Sequence, residues 1–99
     1  MKAVHAAALR LEIRIPEAHS LKDKRRIIRG LMGSLAAAFP VAVSEVGFHD
    51  QWQRATLGAA LVAPQAGQLE RIIHRVQHRL RECPDIELLE VGISYLEER

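Results

Sequence analysis

The chain has 99 residues, 48% of them hydrophobic and 26% charged, and a formal net charge of +2. That length makes a single domain, residues 1–99, with one core between two layers of structure. A lone cysteine excludes an internal disulfide and a cysteine-rich metal site, no apolar run approaches the roughly 18 residues of a membrane span, and eleven arginines, three lysines and no asparagine point to a cytoplasmic protein of thermophilic source.

Residues 3–15 alternate in polarity: Ala7, Leu9, Leu11 and Ile13 share one face, and Arg10, Glu12 and Arg14 the other. This period of two predicts a half-buried strand, and Lys2 followed by so interrupted an apolar stretch does not make a signal peptide. After Pro16, Ser20 with Asp23 three residues on forms a capping-box-like start for a helix running to about Phe39, where Pro40 stops it. "VAVSEVGF" (41–48) and "RATLGAALV" (54–62) read as a second and a third strand, joined by a link short enough for an antiparallel hairpin. Pro64 and Gly67 interrupt the chain before "QLERIIHRVQHRLREC" (68–83), an amphipathic helix that Pro84 ends. "IELLEVGISYL" (86–96) is the last strand, and its alternation changes phase at Leu88–Leu89, which predicts a bulge there.

The order βαββαβ with right-handed crossovers predicts a ferredoxin-like α+β sandwich, an antiparallel four-stranded sheet with both helices on one face. That topology gathers the turn into the first helix, the hairpin and the turn after the second helix at one end of the sheet. The sole tryptophan, Trp52, therefore belongs near Ser20 and Pro84.

Charge is segregated. Residues 20–39 hold Lys22, Lys24, Arg25, Arg26 and Arg29 against Asp23, and residues 84–99 hold Asp85, Glu87, Glu90, Glu97 and Glu98 against Arg99. At about 100° per residue, Leu21, Ile27, Ile28, Leu31, Met32 and Leu35 form the buried stripe of the first helix, with Lys22, Arg25, Arg26 and Arg29 opposite. Lys24 falls inside the apolar stripe, so it must snorkel or find an acidic partner, and Glu45 and Asp50 are the two candidates by topology. Cations in a first turn oppose the helix macrodipole by a few tenths of a kcal/mol each, roughly, and an anion held there offsets that cost. In the second helix Leu69, Ile72, Ile73, Val76, Leu80 and Cys83 face inward, while Arg71, Arg75 and Arg79 run along the outside. The two outer faces are expected to form one basic plate.

Several constellations fail. The first and third strands carry no aromatic residue, which excludes base stacking on the sheet in the manner of RNA-recognition motifs. "GLMG" (30–33) lies mid-helix and is a chance match or a close helix–sheet approach. His74 and His78 have a metal-like spacing but no third ligand in a shaped cavity, so no metal or other cofactor is expected. Acylphosphatase-like chemistry lacks its glycine-rich loop, for which "IPEAHS" stands, and its asparagine. No nucleophile–base pair emerges, and the chain reads as non-enzymatic.

"SLKDKRRIIRGL" and "SEVGFHDQWQRATLG" resemble the YlxP-like family of small bacterial proteins, whose members look like "SLKEKR" at the first helix and "AE…D.WQRA.LG" at the hairpin. The matching positions are Ser20, Leu21, Lys22, Lys24, Arg25, Glu45, Asp50, Trp52, Gln53, Arg54, Ala55 and Gly58; Asp23 departs from the glutamate. The resemblance covers essentially the whole chain. It implies a ferredoxin-like fold and genes set beside those of translation and ribosome-maturation factors, and it brings no activity.

On this reading Trp52 covers the start of the first helix with Lys22 or Arg25 stacked on it, Asp50 and Glu45 hold Lys24, and Arg54 completes the cluster. The function expected is contact with structured RNA or a ribosomal particle through the basic helices; the alternative is a regulatory or scaffold module that binds a protein or an anionic metabolite. Val4, Ala6 and Ala8 with Thr56, Gly58, Ala60 and Val62 form a small-residue sheet face away from the helices, on which a homodimer is expected to pack.

Overall fold

In the computed structural model, residues 3–96 are described; Lys2, Glu97, Glu98 and Arg99, which entered the sequence reading, lie outside them. The chain runs β1 (His5–Arg14), α1 (Leu21–Ala38), β2 (Val41–Gly47), β3 (Arg54–Ala63), α2 (Ala66–Glu82) and β4 (Glu87–Tyr95). The strands form one antiparallel sheet in the order β2-β3-β1-β4, the ferredoxin-like sandwich expected. α1 lies against β2, and α2 against β3, β1 and β4.

The alternation of β1 works as read. Ala7, Leu9, Leu11 and Ile13 are buried, and Ala55, Leu57, Ala59, Leu61 and Ala63 of β3 meet them on the same face. α1 adds Ile28, Leu31 and Leu35 to this core, and α2 adds Leu69, Ile72, Ile73, Val76 and Leu80. Leu21, Ile27 and Met32 are only half-buried, and so is Cys83, the cap just beyond α2.

Ser20 is the N-cap of α1, and its hydroxyl accepts from the Asp23 N–H at 3.0 Å. The Asp23 carboxylate accepts from the His19 N–H at 3.3 Å, one residue earlier than in a standard capping box. α2 begins at Ala66, so Gly67 sits in its first turn and does not break the chain there. At Gly30 and Gly33 an added Cβ would meet nothing within 4 Å, so neither marks a close helix–sheet approach and the "GLMG" match is chance.

Both edge strands carry bulges. Glu12 faces Glu90 and Ile13 faces Leu88, which leaves Leu89 as the extra residue at the place its phase change foretold. In β2, Glu45 faces Leu57 and Gly47 faces Thr56, so Val46 is extra, a bulge the sequence did not announce.

Candidate nucleic-acid interface

The site is assembled around Lys24. Its side chain is 1% exposed, pointing inward from the first turn of α1, as the helical period requires. Its Nζ lies 2.9 Å from Glu45 Oε2 and donates a hydrogen bond to the Phe48 carbonyl. The Glu45 contact is off the hydrogen-bonding direction, so the attraction there is chiefly Coulombic. A buried ammonium needs such compensation, because burial of an unpaired charge costs several kcal/mol, roughly.

Of the two acidic candidates the fold uses Glu45 alone. Phe48 takes a left-handed conformation (φ 59°), its carbonyl also accepts from the Gln51 N–H at 3.0 Å, and Asp50 is left in the exposed middle of that turn. The Phe48 carbonyl thus fills the place expected for Asp50. Such a φ is uncommon for a bulky residue, and nothing in the identity of Phe48 advertised it. The His49 ring, with Nε2 3.1 Å from the Glu45 carbonyl, braces the same turn.

The hairpin docks onto the turn into α1. Ile15 N–H donates to the Gln53 carbonyl at 3.0 Å, and Gln53 Nε2 donates to the carbonyls of Pro16 (3.1 Å) and Ala18 (3.3 Å). Trp52 is therefore at the α1 end of the sheet, as the topology required, but it does not cover the helix. Its side chain is 52% exposed, and neither Lys22 nor Arg25 stacks on it. The cation that covers a ring at this hairpin is Arg54, whose guanidinium carbon is 4.5 Å from the centre of the Phe48 ring. Phe48 and Arg54 flank the tip of one hairpin, so ring and guanidinium meet there without reaching across to the outward face of a helix.

Outside this anchor, Lys22, Arg25, Arg26 and Arg29 are all exposed on α1, and Arg71, Arg75 and Arg79 on α2. Among the described residues none of them has a carboxylate within ion-pair distance, and the same is true of Arg81. The carboxylates of the helices are otherwise engaged: Asp23 in the cap, Glu70 accepting from the Tyr95 hydroxyl at 2.5 Å, and Glu82 beside His78 Nε2 at 3.0 Å. The Glu70 contact pushes the Tyr95 phenol up, since it favours the protonated form.

A groove of about 540 Å³ separates the helices, lined by Arg26, Gly30, Ser34 and Arg79 together with Glu82 and Asp85. Arg79 reaches across it, donating from Nε to Ser34 Oγ at 3.0 Å, with its guanidinium 5.9 Å from the Phe39 ring centre. Arg79 is thus partly a tie between helices, and Arg71 and Arg75 are the freer part of the α2 row. His74 and His78 are exposed, and among the described residues no three metal-ligating side chains gather.

The opposite face of the sheet is built differently. Arg10 Nη1 is 2.6 Å from Glu12 and 3.5 Å from Glu90, Arg14 is 3.6 Å from Glu87, and Arg54 is 3.9 Å from Glu12. Thr56, expected in the open, is buried, and its hydroxyl donates to Glu12 at 2.5 Å. That hydrogen bond, with help from Arg10 and Arg54 and against the cost of burial, holds the Glu12 carboxyl below its usual value. Beyond these charges lies an apolar hollow of about 360 Å³ lined by Ala8, Ala42, Val46, Gly58 and Ala60.

Fold and site together define a small α+β protein of ferredoxin-like topology with a basic helical layer. The family model described as "Protein of unknown function (DUF503)" matches residues 6–93, and the chain belongs to that family. It is 36% identical over 73 residues, 74% of this chain and 79% of the relative, to the "Uncharacterized protein YlxP" of Bacillus subtilis (strain 168). A solved structure of similar fold is the de novo designed protein Foldit4, with a TM-score of 0.56 and 12% identity over 98% of this chain and 100% of that one. At that identity the likeness concerns fold alone. No helix among the described residues is long and apolar enough to cross a membrane.

Proposed function

We propose that this is a non-enzymatic accessory protein that contacts structured RNA or a ribonucleoprotein, such as a ribosomal particle, through its basic helices. The observation that carries the reading is that, among the described residues, the exposed lysine and arginines of α1 and α2 have no carboxylate partner. Lys22 stands in the first turn of α1, where the macrodipole is positive, with Arg25 and Arg26 in the next turn and Arg29 one turn further, so a phosphate at this end relieves repulsion as well as gaining contacts. Phosphate-dominated binding has little sequence specificity and a steep salt dependence. The test is a gel-shift titration with structured RNA at several salt concentrations, together with co-sedimentation with ribosomal particles at low and high salt. Binding that is absent at low salt, or indifferent to salt, overturns the reading.

The interhelical groove, with Arg26 and Arg79 facing Glu82 and Asp85, favours a second reading: a regulatory or scaffold module that takes a protein segment or an anionic metabolite. Binding that survives high salt separates it from the first.

The open sheet face supports a homodimer packed sheet to sheet. Its arginines pair with glutamates towards one end and its centre is apolar, so two copies can bury the apolar centre with the paired charges left at the rim, while keeping both basic layers outside. Sedimentation equilibrium at micromolar concentration tests this, with Ala60→Glu expected to give the monomer mass.

A further inference from the structure

Among the described residues, Trp52 is the one aromatic ring left without a polar or cationic partner. The Phe48 ring carries Arg54, Phe39 faces Arg79, and the Tyr95 hydroxyl donates to Glu70. The Trp52 side chain remains 52% exposed, although an indole is the side chain with the most apolar area to bury.

Its position is nevertheless fixed. Next to it, Gln53 makes three hydrogen bonds to the turn into α1, and four residues back the Phe48 carbonyl is held by the buried Lys24. Two elements far apart in sequence are thereby locked together to display one bare ring. Rigid display lowers the ordering cost of whatever lands on it.

The neighbours of the ring narrow its occupant. His49, Asp50, Gln51 and Gln53 are exposed and polar, so the ring lacks the apolar surround of a protein hot spot. A flat π partner needs only one face of the indole and tolerates polar flanks. At the same end of the molecule, Lys22, Arg25 and Arg26, without a carboxylate partner among the described residues, offer cations to a phosphate backbone. Asp50, exposed at the tip and without an ion pair among the described residues, is an acceptor for an exocyclic amine on a base edge.

We infer that Trp52 is a stacking platform for an unpaired nucleobase of the RNA whose phosphates lie on α1. The inference rests on the RNA reading above and sharpens it: the ligand is a stem with a loop or bulge, not a continuous duplex. Bases inside a duplex are already stacked on both sides and offer the ring nothing.

The sole tryptophan makes the test direct. Two end-labelled RNAs share one stem, the first with a bulge of unpaired bases and the second fully paired. Anisotropy of the label reads binding, and indole emission reads stacking. The bulged RNA is expected to quench Trp52 and the paired RNA to bind without quenching. Trp52→Ala is expected to weaken the bulged RNA by at least about fivefold and leave the paired RNA unchanged, with Trp52→Phe restoring most of the loss. RNA that binds with Trp52 silent, or equal losses on both RNAs, overturns the platform and leaves the basic face standing. Failure of both RNAs to bind overturns the RNA reading as well.

Discussion

The arginines of the sheet and those of the helices live under different rules. Arg10, Arg14 and Arg54 on the open sheet face each lie within 4 Å of a glutamate, whereas Arg25, Arg26, Arg29, Arg71 and Arg75 on the helices have no carboxylate within reach among the described residues. The same residue type is locally compensated on one side and left as net charge on the other. A formal net charge of only +2 conceals this, because four of the glutamates that balance the total, Glu12, Glu45, Glu87 and Glu90, sit in the strands. Net charge describes solubility; the address of each charge describes which face is open to an anion.

The comparison breaks most visibly if helix charges are reversed. Arg25, Arg26 and Arg29 changed together to Glu should weaken binding of structured RNA by about two orders of magnitude at low salt and reduce the salt slope by about 2.7, as three lost phosphate contacts imply. Thermal melting and far-UV circular dichroism should stay as they were. A melting point that falls as steeply as the binding would mean these cations serve the fold.

Lys24 belongs to neither group, which makes it the sharper test of what a paired charge contributes. Lys24→Met should destabilise by about 1–3 kcal/mol in urea unfolding, because it strands the Glu45 carboxylate and removes one of the two donors to the Phe48 carbonyl. A double-mutant cycle with Glu45→Gln should show coupling, and additive losses would argue against the pair.

The sheet network should instead register as acid sensitivity. The Glu12 carboxyl is held below its ordinary value in the folded state, chiefly by Thr56. Its contribution to stability is then complete above the ordinary carboxylate value of about 4.5 and is lost as the pH falls through the lowered folded value. Stability measured from pH 7 to pH 2 should show an acid limb that Glu12→Gln flattens, with no change in RNA binding at neutral pH.

The smallest effect expected is at Gly92. An added Cβ there would lie 2.8 Å from Arg10 Nη2, the mobile end of a long side chain. Gly92→Ala should shift Arg10 off Glu90 and change stability by less than about 1 kcal/mol, since exposed ion pairs contribute that much or less. A larger loss, read by urea midpoint, would show that the sheet network is more rigid than a surface lattice of charges.

Much of this architecture was legible. Alternation and helical period marked the elements, Leu88–Leu89 marked a bulge because two adjacent apolar residues break a period of two, and Lys24 in an apolar stripe demanded a partner. The bulge in β2 was silent for the converse reason: after Val46 the strand changes phase at Gly47, which has no side chain to declare its face. The left-handed turn at Phe48 was equally silent, and with it went the distinction between Glu45 and Asp50 and the outward placement of Trp52. Local sequence carries the period of an element; which way a tip turns is decided by contacts with a distant helix.

The two bulges have a further consequence, for how this chain meets copies of itself in crowded solution. A sheet edge is a row of unpaired donors and acceptors, and a regular edge invites another strand to add to it. Here both edges, β2 and β4, are interrupted, at Val46 and at Leu89, each with an apolar side chain thrown outward at the irregularity. A bulge twists its strand out of register with any straight neighbour. Edge-wise growth into an open-ended sheet is thereby obstructed on both sides, and deleting Leu89 or Val46 should convert a well-behaved protein into one that forms thioflavin-positive aggregates on prolonged incubation.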